Sequence, residues 1–491
     1  MSGTEVVAVL AELAARLRRE LGEHAVITDR ARLRTYECDG LTHHVAVPGL
    51  VVLARSAEDI RTAVRACHDA GVPFVARGSG SGLSGGATPV AEGVLIVMAT
   101  MRQIRQVDEA NQRAVVEPGV INLAVSEAAA PSGHYFAPDP SSQQICSIGG
   151  NVAENSGGAH CLKYGFTTTH VLAAYVVLAD GSEVTLGTSA LDAPGYDLLG
   201  AFVGSEGTLG ITTRVVVRLL RRPESVRTVL AAFPSTDHGG EAVSAIIGAG
   251  VLPAAIEMMD ALAIEAAEVA VRCNYPDGAG AVLIVESDGP AADVDHEMAQ
   301  VRALCRKAGA FEIREAADDT ERALIWKGRK SAFAAVGRIS PAYYVQDGVI
   351  PRTALPEVLR RIRELSDASG VRVANVFHAG DGNLHPLVLY NDGIEGQEEQ
   401  AEHVSAQILA LCLEHGGSIT GEHGVGVDKR DHMGEMFTAE DLDTMQRVRC
   451  AFDPDGLSNP GKVFPTPRLC GEAPGPRRGT HPLQAEGVEI F

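Results

Sequence analysis

Arg77-Gly78-Ser79-Gly80-Ser81-Gly82-Leu83-Ser84-Gly85-Gly86 follows directly on a short apolar run, Val72-Pro73-Phe74-Val75-Ala76. Glycine at alternate positions through Gly82 lets backbone N–H groups converge on an anion, and Arg77 and the serines add donors. Gly80, Gly82 and Gly85 spell the G-x-G-x-x-G dinucleotide fingerprint in letters only. That fingerprint must open a helix. Here Ala87-Thr88-Pro89-Val90 and a strand-like run, Val94 to Met98, come next instead. The segment reads as a phosphate-holding loop outside the Rossmann scheme.

Upstream, Met1 to Leu21 carries Val6, Val9, Leu10, Leu13 and Leu17 at helical spacing. With acidic residues and no continuous apolar core, it reads as a surface helix and not a signal peptide. Val45 to Ala54 is β-rich, and Ser56-Ala57-Glu58-Asp59 caps a helix that runs to Ala70 and stops at Gly71. Downstream lie Pro138-Asp139-Pro140-Ser141-Ser142 and the run Ser147-Ile148-Gly149-Gly150-Asn151 to Asn155-Ser156-Gly157-Gly158. These small residues and side-chain amides suit the edge of a flat heterocycle. A strand from Val171 to Leu178, a hairpin turn at Ala179–Ser182 and the loop Gly204-Ser205-Glu206-Gly207-Thr208-Leu209-Gly210-Ile211 complete this half.

The other half is organised around Val376-Phe377-His378-Ala379-Gly380-Asp381-Gly382-Asn383-Leu384-His385, with Thr420-Gly421-Glu422-His423-Gly424 further on. Histidines and a carboxylate in Gly-rich turns beside apolar strands suit Zn²⁺ or a similar divalent ion. Two His and one Glu would leave coordination positions open, as chemistry requires. Between the halves, α and β patterns alternate from Arg221 to about Gly370, with strands at Val229–Phe233 and Ala281–Glu286 and helices from about Glu241, Asp260 and Asp293. Trp326-Lys327-Gly328-Arg329-Lys330 holds the chain's single Trp. Arg329, with its planar fork, is the expected anchor for a substrate carboxylate, while Lys327 and Lys330 read as a solvated face. Tyr343, Tyr344 and Gln346 are candidates to line the same pocket.

A net charge of −21 over 491 residues argues against nucleic-acid or anionic-membrane binding. No apolar run is long enough to span a membrane. Nine scattered cysteines without C-x-x-C favour free thiols in a reducing cytoplasm and exclude a ferredoxin-type cluster.

Together, the Arg77–Gly86 loop, the Ile148–Gly158 run and Gly204–Gly210 resemble the FAD-binding domain of the vanillyl-alcohol oxidase / p-cresol methylhydroxylase superfamily. The resemblance implies an α+β chain with a two-subdomain FAD-binding domain, a mixed α/β substrate domain and a C-terminal return. The expected divisions are an N-terminal helical segment 1–44, the FAD-binding domain 45–222, the substrate and metal domain 223–465 and a disordered Pro/Gly/Arg-rich tail 466–491. It places FAD against Arg77, Gly78, Ser79, Gly80, Ser81, Gly82, Leu83, Ser84, Pro138, Asp139, Ser147, Gly149, Gly150, Asn151, Asn155, Gly157, Glu206, Gly207, Gly210 and Ile211. Where some members tether flavin to a histidine this chain has Ser81, so non-covalent FAD is expected.

The His378–His385 turn, Gly421–Gly424 and Asn459-Pro460-Gly461-Lys462 are similar to the FAD-linked D-2-hydroxyacid dehydrogenases, a group that includes glycolate oxidase FAD-binding subunits and D-lactate dehydrogenases. The similarity implies His378, His385 and Glu422 as ligands of Zn²⁺ (Mn²⁺ or Fe²⁺ as alternatives), His423 as catalytic base and Asn459 beside the flavin. Tyr344-Val345-Gln346-Asp347 lacks the lysine that dicarboxylate-using members carry there, which favours a short monocarboxylate over D-2-hydroxyglutarate. The expected activity is oxidation of glycolate or a D-2-hydroxy acid to the 2-oxo acid. Electrons would pass to an iron–sulfur partner subunit or a quinone from a cytoplasmic or peripherally membrane-associated protein. The rivals are an O₂-using oxidase, a non-catalytic FAD subunit and a zinc hydrolase.

Overall fold

Ser56 Oγ accepts the Asp59 amide at 3.1 Å to start helix Ala57–Ala70, and Gly71 ends it at φ 64°. The computed structural model describes residues 3–190 and 194–465, so the tail expected from 466 lies outside the described residues. That helix and the N-terminal helix Gly3–Leu21 share one core with the first sheet, through Leu13, Leu17, Ile60, Val52 and Ile96. The sheet runs Val26–Ile27, Leu50–Leu53, Val94–Val97, Phe74–Arg77, and its last three strands are parallel. Parallel strands buried on both faces need near-continuous apolar sequence, which Val94-Leu95-Ile96-Val97 supplies. The glycine loop leaves the end of Phe74–Arg77 with no helix behind it, as the sequence requires.

A second, antiparallel sheet follows, ordered Ile104–Asp108, Arg113–Val116, Ile211–Arg218, Val171–Val177, Glu183–Gly187. The segment after Ser147 forms a short helix, Ile148–Glu154, that carries its glycines into the cavity wall.

From Ser225 the chain builds one eight-stranded antiparallel sheet. Its central strands Ala255–Asp260, Val373–His378 and Asn383–Tyr390 lie side by side. Helices Thr236–Gly248, Ala291–Lys307, Leu355–Ser369 and Gln397–Glu414 bury one face. Helices Ala261–Val271 and Asp319–Val336 cover the other. The C-terminal return then crosses back, where the Phe74 amide donates to the Leu457 carbonyl and the Phe74 carbonyl accepts the Asn459 amide. Seven cysteines (38, 67, 146, 161, 273, 305 and 412) are free thiols as expected, whereas Cys450 is disulfide-bonded. No helix among the described residues is long and apolar enough to cross a membrane.

Candidate active site

Strand parity assembles the site. Glu257 pairs across the sheet with His378, and Val376 pairs with His385, so Glu257, His378 and His385 all project from one face. His378 Nδ1 lies 2.8 Å from Glu257 Oε1, and its Nε2 lies 3.2 Å from Glu422 Oε1. His385 Nε2 reaches the same Glu422 oxygen at 3.1 Å. The ligating atoms of His378, His385 and Glu422 fall within 4.8 Å of one another, all buried. The His385 Nε2 approach to Glu422 lacks hydrogen-bond geometry, and Glu422 Oε2 has no hydrogen-bond partner among the described residues, so this donor set fits a divalent cation. Burial opposes charge on both groups, yet His378 is held well above the usual imidazole range by Glu257 and Glu422, and Glu422 well below the carboxylate range by His378 and His385. The carboxylate behind His378 is the arrangement that fixes a ligating imidazole's orientation.

Glu422 and His423 arrive on a loop wrapped around one acceptor, Asp347. Its Oδ2 accepts Thr420 Oγ1 at 2.6 Å and the amides of Gly421, Glu422 and His423 at 3.0, 3.2 and 2.9 Å. Its Oδ1 accepts Asn383 Nδ2 from the histidine hairpin at 2.8 Å. Gly421 has no space for a Cβ, which would collide with the Asn383 amide. His423 stacks on His385 with ring centroids 5.0 Å apart, and burial pushes it down to about 4, leaving a neutral imidazole whose Nδ1 is unpartnered.

Glu422 and His423 open onto a cavity of about 1000 Å³ that runs between the two halves of the molecule. Of the residues expected to hold FAD, Gly78, Ser79, Gly80, Ser81, Gly82, Leu83, Ser147, Gly149, Gly150, Asn151, Glu206, Gly207, Gly210 and Ile211 line it. Backbone groups of glycine loops and a long cleft suit a dinucleotide, so the cofactor fits. The remaining expected residues stand behind the wall and shape it. Arg77 ties its guanidinium to the Ala87 carbonyl at 2.6 Å, and the Ser84 carbonyl accepts the Val427 amide. Asn459 Nδ2 clamps two loops through the Gly86 and Glu206 carbonyls, 2.8 and 2.6 Å. Asn155 Oδ1 accepts the Thr168 amide, and Gly157 packs against Phe166. Pro138 precedes Asp139, whose carboxylate is engaged by His160 at 2.9 Å, while Pro140 to Ser142 reach the cavity instead.

Arg329 also departs from its expected place. It is buried, its Nη2 lies 2.6 Å from Glu257 Oε2, and it is not on the cavity wall. Its helix turns Lys330 and Phe333 to the wall, so Lys330 is not merely a solvated residue. Tyr343 lines the cavity, whereas Tyr344 stacks between His43 and Tyr390, and the Gln346 carbonyl faces His385 Nδ1 at 3.3 Å. Gly40–His43, placed by sequence in the N-terminal helical segment 1–44, is instead an irregular stretch that lines the cavity beside the glycine loop.

Residues 48–187 match the FAD binding domain and residues 222–463 the C-terminal domain of FAD linked oxidases. The chain is 52% identical over 437 residues to the glycolate oxidase subunit GlcD of Escherichia coli K12, spanning 89% of this chain and 88% of that one. It belongs to the FAD-linked oxidase family. The mitochondrial cytochrome-type D-lactate dehydrogenase of Arabidopsis thaliana is 29% identical over 87% of this chain and 75% of its own. Among solved structures, 4-ethylphenol oxidase from Gulosibacter chungangensis superposes with a TM-score of 0.78 over 93% of this chain and 97% of its own. At 21% identity that likeness shows the fold. The family's two domains therefore meet at the cleft, with the glycine loops on one side and the His–Glu cluster on the other.

Proposed function

We propose that this chain oxidises glycolate, or a D-2-hydroxy acid such as D-lactate, to the 2-oxo acid. The observation that carries the reading is the position of Glu422 and His423 on the wall of the same cleft that the flavin loops line. His378, His385 and Glu422 would hold the metal, and the glycine loops the FAD, non-covalently. When bound, the metal would supply Lewis acidity toward the substrate hydroxyl and the flavin would supply the two-electron acceptor. The neutral His423 imidazole receives the hydroxyl proton, a role worth about 10²–10⁴-fold in rate. Lys330, on the wall, supplies positive charge for the substrate carboxylate, while buried Arg329 holds Glu257 in place behind His378. Phe333, packed edge-on to His385 at 5.7 Å, makes an apolar wall beside the reacting centre that suits hydrogen or methyl on the substrate carbon. With no cluster motif of its own, the chain would hand electrons to an iron–sulfur partner subunit or a quinone, in keeping with a relative named as a subunit.

The test is an anaerobic absorbance spectrum before and after adding glycolate, D-lactate and D-2-hydroxyglutarate. Bleaching of the flavin band by glycolate or D-lactate is expected, and bleaching by none of the three would overturn the substrate assignment. His378→Ala should lose metal and turnover together while retaining FAD. An active, metal-free His378→Ala would remove the metal from the mechanism.

A further inference from the structure

Two carboxylates in the cleft wall have no part in the chemistry above. Glu154 ends the helix Ile148–Glu154, and Glu206 sits in the loop before strand Ile211–Arg218 at a left-handed φ of 52°. Both border the same two glycines. A Cβ on Gly86 would stand 2.7 Å from Glu154 Oε1 and 3.5 Å from Glu206 Oε2. One on Gly424 would strike Glu154 Oε2 and stand 2.9 Å from Glu206 Oε1. The carboxyl groups therefore lie side by side across a gap that only glycine leaves open.

Their hydrogen bonding is unequal. Glu206 accepts the amides of Val425 and Gly426 at 2.7 and 2.6 Å. Glu154 Oε2 is buried with no partner among the described residues. Nearby cations are engaged elsewhere: Lys429 Nζ with Asp347 and the Gly424 carbonyl, Lys462 Nζ with the Thr88 carbonyl at 2.9 Å. Asp39, close by, adds negative charge and is satisfied by the Leu41 and Ala87 amides. Two neighbouring carboxylates in a dry site do not both ionise, because their repulsion adds to the burial penalty on each. Donated N–H bonds favour the ionised form, so the charge belongs on Glu206 and the proton on Glu154. Burial first, then Glu206 and Asp39, raise Glu154 well above the usual carboxylate range, against the pull of Lys429. Burial raises Glu206 too, but its two amide donors, Lys429 and Lys462 counter it.

We propose that Glu154 and Glu206 carry one proton between the two of them, seated on Glu154, and that Glu154 presents this carboxylic O–H to the bound flavin. The inference rests on the reading of this cleft as the FAD site. A neutral donor there supplies a hydrogen bond to the polar edge of the heterocycle and spares the reduced cofactor a second adjacent anion. An ionised Glu154 would do neither.

The experiment is an infrared spectrum of the FAD-loaded enzyme at about pH 8, where Asp260 and Asp381, each pushed up to about 6 by burial, are ionised. A protonated-carboxylic C=O stretch is expected, shifting in D₂O, shifting again with ¹³C-glutamate and lost in Glu154→Gln. The glutamate label assigns the band in the wild-type protein even if that variant folds poorly. The stretch should also change frequency when flavin is removed or chemically reduced. Absence of the band, or its survival in a folded Glu154→Gln protein, overturns the shared proton. A band identical with and without flavin overturns the contact with the cofactor. A protein that binds no FAD sinks the assignment of the cleft, while the band in the flavin-free protein still reports on the pair.

Discussion

Replacing Asp347 by Asn keeps the side chain's size and removes the charge around which the Thr420–His423 loop is wrapped. The amide can present its oxygen to the loop, so the four hydrogen bonds now made to Oδ2 survive as neutral ones. A bond to a charged acceptor is worth about 1.5–3 kcal/mol and a neutral one about 0.5–1.5, a loss near 1 kcal/mol each before relaxation. The amide NH₂ then faces Asn383 Nδ2, which must turn, and buried Lys429, whose Nζ lies 3.4 Å from Asp347, loses its counter-ion. These terms are not additive, and about 3–5 kcal/mol is a reasonable total. The loss falls on the segment that carries both a proposed metal ligand and the proposed base. A displacement of about 1 Å there costs about 10² in rate, and complete loss of the base up to about 10⁴. FAD content should be unchanged, because Arg77 and Asn459 hold the flavin loops without Asp347. The assay is flavin absorbance, metal analysis and steady-state kcat on the same preparation. Asp347→Asn with wild-type metal content and wild-type kcat would refute the argument, and a variant that loses FAD as well would show that the loop's role is global.

Glu257→Gln should weaken metal binding about 10–100-fold, as loss of a carboxylate behind a ligating histidine does, and lower the melting temperature because buried Arg329 loses its partner. Metal titration of the chelated protein checks this. Burial pushes His160 down, but Asp139 and Glu286 outweigh it and raise it from 6.5 to about 10. A raised pKa means its contribution is complete below 6.5 and disappears as pH climbs through about 10. Because His160 joins the flavin half through Asp139 to the sheet through Glu286, wild-type melting temperature should fall over that window more steeply than that of His160→Gln. Parallel pH–melting curves for the two proteins would contradict this. Gly40→Ala places a Cβ 2.6 Å from the Gly82 carbonyl oxygen. Overpacking of about 1–3 kcal/mol should loosen FAD by about one to two decades, read by equilibrium dialysis of flavin.

What could be read from sequence was local, and what could not depended on strand order. The flavin loops are contiguous glycine segments, and a histidine hairpin brings its two proposed ligands together across one turn, so both were visible in the letters. Glu257 reaches His378 only because Ala255–Asp260 lies beside Val373–His378, strands far apart in the chain. Its one signal was an ionisable residue inside the run Ala255-Ile256-Glu257-Met258-Met259, since a carboxylate there must find a charged or hydrogen-bonding partner. Asp347 was hidden by good local chemistry: Asp-Gly reads as a turn, and the N–H groups it gathers come from a loop more than seventy positions away. Arg329 and Lys330 exchanged roles because adjacent helix positions point about 100° apart, and only the packing of Asp319–Val336 against the sheet decides which one meets Glu257. Gly40–His43 was unreadable for a related reason: nothing in an irregular segment says that it lies across a loop forty residues onward. Sequence alone therefore named the groups proposed to do the chemistry, and the register of one sheet determined which carboxylates hold them.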